Sequence, residues 1–157
     1  MIDKNKVMIE FLRNCPVIDK NPLYFNFGNI EDNSYQVITD SNDTSLSQPY
    51  IDGSILKRYT FYIDCFKTIA YNKVIKGYQD ENLYDISEVQ AILDWVNEQD
   101  RNKIYPDFGE DCLIDSMQST TESPDLHSVE DTTTSPIAVY RISIQIDYID
   151  NTEKLWK

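Results

Sequence analysis

The chain has few glycines and almost no histidine: four Gly and one His in 157 residues. Four glycines are too few for a phosphate-cradling loop plus the usual turns, and no GxxxxGK[ST], GxGxxG or GxSxG run occurs, so nucleotide chemistry is not indicated. The sole histidine, His127, lies between Leu126 and Ser128 in a polar stretch, with no HxxxH or HExxH partner and no cysteine at metal spacing. A solvated loop histidine is the expectation. The three cysteines, Cys15, Cys65 and Cys112, are odd in number, far apart and without a CxxC pair, which reads as reduced, partly buried thiols. Long apolar runs are missing too, and the opening MIDKNKVMIEFLRN mixes acids and bases, so neither a signal peptide nor a membrane span is expected. These absences imply a soluble intracellular protein with no membrane partner, no cofactor, no metal and no catalytic residue.

Basic residues are also scarce where acids are dense. The net charge of −13 comes from residues 77–135, with fifteen acids against two bases, Arg101 and Lys103; residues 1–76 carry nine of each sign, and 136–157 three of each. Gripping nucleic acid needs clustered Lys and Arg, so specific DNA binding is not expected. An acidic surface keeps a protein soluble, and it would also suit a passage through which DNA moves without sticking. Acid pairs at Glu31–Asp32, Glu110–Asp111 and Glu130–Asp131 fall in expected turns without calcium-loop spacing and read as solvated charge.

What is present is the raw material of a core: 41% hydrophobic residues and 12% aromatics, enough for one domain over 1–157. Residues 3–14 place Val7, Met8, Phe11 and Leu12 at helical spacing, with Asp3 as N-cap and Pro16 beyond the end. Leu23–Gly28 and Ser34–Thr39 read as a β-hairpin around GNIEDN, and residues 40–54 as a surface loop. From Ile55 to Phe66, Tyr59, Phe61, Ile63 and Cys65 alternate with Arg58, Thr60, Tyr62 and Asp64, the pattern of a long strand. Residues 85–99 set Ile86, Val89, Ile92, Leu93 and Val96 on one helical face. CLIDSMQST reads as a strand and SPDLHSVEDTTTSP as a loop. In Val139–Ile149, Tyr140, Ile142, Ile144, Ile146 and Tyr148 alternate with polar residues and should face the core, each isoleucine gaining roughly 1.5–3 kcal/mol by burial.

The expected fold is therefore α+β, in the order α-β-β-β-α-β-β, with a single mostly antiparallel sheet and two helices packed on one face. No internal repeat stands out. Residues 67–84 show no sustained period and form an excursion that a compact fold does not need, so they are the candidate docking arm. Its candidate interface residues are Ile69, Tyr71, Val74, Ile75 and Tyr78, apolar groups needing cover, with Lys67, Lys73 and Lys76 making its first half basic to meet an acidic face; a loop folded back on its own sheet is the alternative. Tyr71, Tyr78, Tyr84, Tyr105, Phe108 and Trp156 fall outside the expected strands, a surplus that points to partners.

The stretches PYIDGSILKRYTFYIDCF, YPDFGEDCLIDSM and IQIDYIDNTEKLW, in this order, resemble small structural proteins of tailed phages and prophages of Gram-positive bacteria. Such proteins have carried minor-capsid and chloramphenicol-resistance labels; the acetyltransferase motif HHxxxDG is missing here, because His127 stands in LHSVEDT. By size and element order the chain is similar to the tail-terminator family. That resemblance implies a non-enzymatic virion protein of the tail-neck region, assembled in the host cytoplasm. It also implies a homo-oligomeric, six-fold ring that caps the tail tube and joins it to the head connector while DNA passes through. Another neck component, such as a head-completion or connector protein, is the alternative, and a small phage enzyme or host-takeover factor is a remote one.

Overall fold

A computed structural model describes residues 3–26, 33–39, 44–68, 81–121, 124–131 and 136–153. Its elements in chain order are α1 (Lys4–Leu12), α2 (Pro16–Asp19), β1 (Leu23–Phe25), β2 (Ser34–Thr39), β3 (Thr44–Ser45), β4 (Ile55–Thr68), α3 (Glu81–Arg101), β5 (Cys112–Ser119), β6 (Asp125–Asp131) and β7 (Pro136–Asp150).

The centre of the fold is the ladder between β4 and β7, antiparallel over fourteen residue pairs from Ile55↔Asp150 to Thr68↔Ile137. Both strands are long because their alternation is unbroken, and each presents one apolar face. On the outer margin of β4 lie β2, opposite residues 61–66, and β3, opposite 57–58; on the outer margin of β7 lie β5 and β6 in line. All these pairings are antiparallel, but β1 joins β2 in parallel, so the seven-stranded sheet is mixed. The expected hairpin is thus corrected. Asn26 (φ 58°) and Asn33 (φ 56°) adopt left-handed backbone near the ends of the connection, a conformation that asparagine tolerates, and they let the chain double back beside its own start.

The helices cover the inner face. Asp3 caps α1, its carboxylate accepting from the N–H groups of Asn5 (3.1 Å) and Lys6 (3.3 Å). Met8, Phe11 and Leu12 of α1, Ile18 of α2, and Val89, Ile92, Leu93 and Val96 of α3 are buried against Tyr59, Phe61, Ile63, Cys65 and the even-numbered residues of β7 from Tyr140 to Tyr148. Phe11 meets Trp95 with ring centroids 5.2 Å apart, fastening α1 to α3.

The element order is α-α-β-β-β-β-α-β-β-β in place of the expected α-β-β-β-α-β-β, and the supposed 40–54 loop contains β3, which at two residues is too short to leave a period. Three further expectations need correction. A third helix, α2, follows the first, because Pro16 sits at its first turn, where a missing N–H costs nothing. The stretch holding His127 is strand β6, not a loop; its register shifts between Leu126 and Ser128, and that bulge hides the alternation. Of the supposed excursion, Lys67 and Thr68 end β4, residues 81–84 open α3, and 69–80 lie outside the described residues.

Candidate interaction face

The face of the sheet turned away from the helices is organised in three bands. Its middle band comes from a repeat inside the chain that periodicity alone does not reveal. Residues 58–64 read RYTFYID and residues 141–147 read RISIQID, sharing Arg, a hydroxyl residue, Ile and Asp at the same places. The ladder pairs the first residue of each copy with the last of the other, Arg58↔Asp147 and Asp64↔Arg141. Both pairs are forked: Arg58 Nε and Nη2 donate to Asp147 at 2.7 and 3.0 Å, and Arg141 Nε and Nη2 donate to Asp64 at 2.7 and 2.9 Å. Thr60, Tyr62, Ser143 and Gln145 fill the space between them, all half-buried.

At one end of this band Phe66, Ile137 and Val139 form a small buried cluster. The opposite end is aliphatic and open. Leu46, just past β3, has its N–H on Leu56 O at 2.8 Å, Leu56 stands opposite Ile149, and Ile149 opposite Leu113, so four aliphatic side chains form one row across β4, β7 and β5. Leu46 is 40% exposed and Leu113 is 62% exposed. Beside the row a tight turn projects Ile51, which is 94% exposed. Gly53 (φ 88°) closes that turn with its N–H on Tyr50 O at 2.8 Å, and Asp52 holds it by accepting from Ser54 N (3.0 Å) and Ser54 Oγ (2.6 Å). Tyr50, Ile51, Asp52, Ser54 and Ile149 border an open groove of about 460 Å³. Apolar side chains gathered at one spot of a surface, and not scattered singly, mark a contact site.

On the inner face, the same end of the sheet opens into a cleft of about 700 Å³ whose lining includes Lys4, Lys57, Phe108, Cys112 and Asp150. Lys57 donates to Asp150 at 2.8 Å, and the Lys4 ammonium lies over the rings of Phe108 (5.8 Å) and Tyr148 (5.4 Å). Phe108 is therefore no spare aromatic for a partner. It is 4% exposed and packs edge-on against Tyr59 and Tyr148, with centroids 5.7 and 5.6 Å away. Tyr105 is half-buried and donates to Asp100 at 2.7 Å, which removes it from the surplus as well. Tyr71, Tyr78 and Trp156 lie outside the described residues, and Tyr84 belongs to α3.

At the far end of β4, Lys67, expected in the basic half of the docking arm, is instead buried on the inner face and cannot meet a partner there. Its ammonium donates to Asn33 Oδ1 (2.8 Å) and Tyr35 OH (3.2 Å) and stands 3.7 Å from Glu88. Among the described residues no three His, Cys, Asp or Glu side chains are grouped as metal ligands, and His127 is exposed on β6. The candidate interface residues Ile69, Tyr71, Lys73, Val74, Ile75, Lys76 and Tyr78 all fall in 69–80, outside the described residues. The aliphatic row and Ile51 were missed in the sequence because Leu46 and Ile51 sit in the turn-rich 40–54 stretch. Leu113 was hidden by a register shift between Ile114 and Ser116. No helix among the described residues is long and apolar enough to cross a membrane. No protein-family model matches the chain, and no curated protein matches it.

Proposed function

We propose that the chain is a structural subunit of a tailed-phage particle, a tail terminator whose copies close into a six-fold ring on the tail tube and present a docking surface to the head connector. The observation that carries this reading is the aliphatic row of Leu46, Leu56, Ile149 and Leu113, exposed at its two ends and half-buried between, with exposed Ile51 beside it. A rigid sheet ending in such a row suits repeated subunit contact, and a contact repeated head to tail with the right rotation closes a ring. The motif resemblance supplies the particle. The charge supports passage of DNA without adhesion, because fifteen acids and two bases in 77–135 repel phosphate. No catalytic step belongs to this reading.

The test is assembly. Purified protein mixed with tail tube is expected to form closed, end-capping rings in negative stain, and the double variant Ile51→Asp, Leu113→Asp is expected to fold yet leave the tube uncapped. Both substituted residues are exposed, so the fold tolerates them. Capping by the double variant would defeat the assignment of the row. Binding to the connector with none to the tube would favour a different neck component.

A further inference from the structure

The margin of β7 carries two strands in line, and they are protected unequally. The β5 half is sealed by the end of α3 and the turn after it. Asp100 Oδ1 accepts the Met117 N–H at 2.9 Å and the Tyr105 hydroxyl at 2.7 Å, and that hydroxyl lies 3.4 Å from Asp115 O. Burial, then the hydrogen bond and charge of Asp100, push the Tyr105 hydroxyl up to about 12, so the seal keeps its proton at any physiological pH. Around Thr120 the margin is interrupted: Ser119 Oγ donates to Thr121 O (2.7 Å), and Thr120 N–H donates to Ser143 O (2.9 Å).

Beyond the interruption β6 is an edge strand whose only strand partner among the described residues is β7. Leu126 and Val129 are 58% and 50% exposed, although the residues opposite them, Tyr140 and Ala138, are buried. Proteins usually blunt or cover such an edge, because it is a template for another strand, and here the described residues cover the same margin in one half only. Charge selects the strand that fits. The β6 sequence, DLHSVED, has three acidic residues, Asp125, Glu130 and Asp131, and no Lys or Arg. Edge-to-edge pairing of two β6 strands would set acid against acid, whereas a basic strand would gain attraction in addition to backbone hydrogen bonds.

We propose that β6 takes up an extended, Lys- or Arg-bearing strand of a partner polypeptide, which adds to the sheet edge beside Leu126 and Val129. This surface lies away from the aliphatic row, and the inference does not rest on the tail-terminator reading. Hydrogen exchange on the full chain tests it, alone and with an end-blocked peptide of alternating Lys and Val or its Glu and Val counterpart. In the free chain the β6 amides are expected to exchange faster than those of β5. The Lys peptide should slow β6, the Glu peptide should not, and added salt should weaken the effect. In the double variant Leu126→Lys, Val129→Lys the slowing should vanish while β7 stays protected, which shows that the fold is intact. The proposal is overturned by β6 amides that match β5 without peptide, by a Lys peptide that slows nothing, or by equal slowing in the double variant. Equal action of the Glu peptide would overturn the assigned partner chemistry.

Discussion

Arg141 grips Asp64 through two parallel hydrogen bonds of 2.7 and 2.9 Å while its guanidinium lies 5.1 Å from the centre of the Tyr62 ring. Its twin, Arg58 with Asp147, has the same fork, but the Asp64 side chain is 7% exposed and that of Asp147 is 19% exposed. Equal geometry in unequal surroundings makes the two pairs an internal comparison.

Deleting the more buried carboxylate should cost more, because the two arginines are about equally exposed while the Asp64 end of its pair is better shielded from water, which strengthens the attraction that is lost. Asp64→Ala is expected to lower stability by about 2–3 kcal/mol and Asp147→Ala by about 1 kcal/mol, read as urea midpoints at constant slope. Equal losses would show that burial does not separate the twins.

Ile144 is fully buried opposite Phe61, whereas Gln145 is half-buried on the other face. Ile144→Asp places an unpaired charge in the core and should prevent folding, while Gln145→Asp should shift the melting temperature only slightly. Circular dichroism melts of both variants check this, and similar damage from the two would contradict the register.

Burial alone would raise the Asp150 carboxyl, but hydrogen bonds from Lys57 and Thr152 outweigh it and hold the group at about 2, below the ordinary 3.8. A folded value below the unfolded one means that its stabilisation is complete above pH of about 4 and is lost as pH falls through about 2. The melting temperature of Asp150→Asn should therefore trail the wild type by a constant gap from neutral pH to about 4, and the gap should close below that. A gap unchanged at pH 2 would show that the pairing does not act through the carboxylate charge.

Cys15 and Cys65 are buried, and burial pushes both thiols above their ordinary value; Cys112 is half-buried at the cleft. A thiol is nucleophilic only as the thiolate. Maleimide treatment of the native protein should therefore label Cys112 alone, with the other two reacting after denaturation, as read by peptide mass spectrometry. Rapid labelling of Cys65 in the native state would mean that the β4 core opens readily.

The sequence made the skeleton legible where one period ran unbroken. Met8, Phe11 and Leu12, the Val89–Val96 stripe, and the alternations through Phe61 and Ile144 all stand on the expected faces. What stayed hidden was short or interrupted: a four-residue helix, a two-residue strand, and β6, where one extra residue at His127 breaks the period of two. The parallel pairing of Leu23 with Tyr35 depends on two left-handed asparagines, which leave no mark in a hydrophobic pattern. The twin motif was written plainly but spans only seven residues, far shorter than the repeats that build solenoids. The interaction row was illegible because it crosses strands, joining Leu46, Leu56, Ile149 and Leu113 from four separate stretches.

The twin motif also makes each central strand complementary to itself. Arg58 and Asp64 lie three positions either side of Phe61, and Arg141 and Asp147 lie three positions either side of Ile144. Two β4 strands from different chains, set antiparallel about Phe61, would match Arg to Asp at both ends, as would two β7 strands about Ile144. Surface charge therefore cannot tell a strand of the same chain from a strand of its neighbour. That discrimination falls to the inner face, where only the β4–β7 pair brings Tyr59, Phe61 and Ile63 against Ile146, Ile144 and Ile142. Renaturation in concentrated solution consequently has a competing strand-exchanged product, and dilution is what favours closure of the chain on itself.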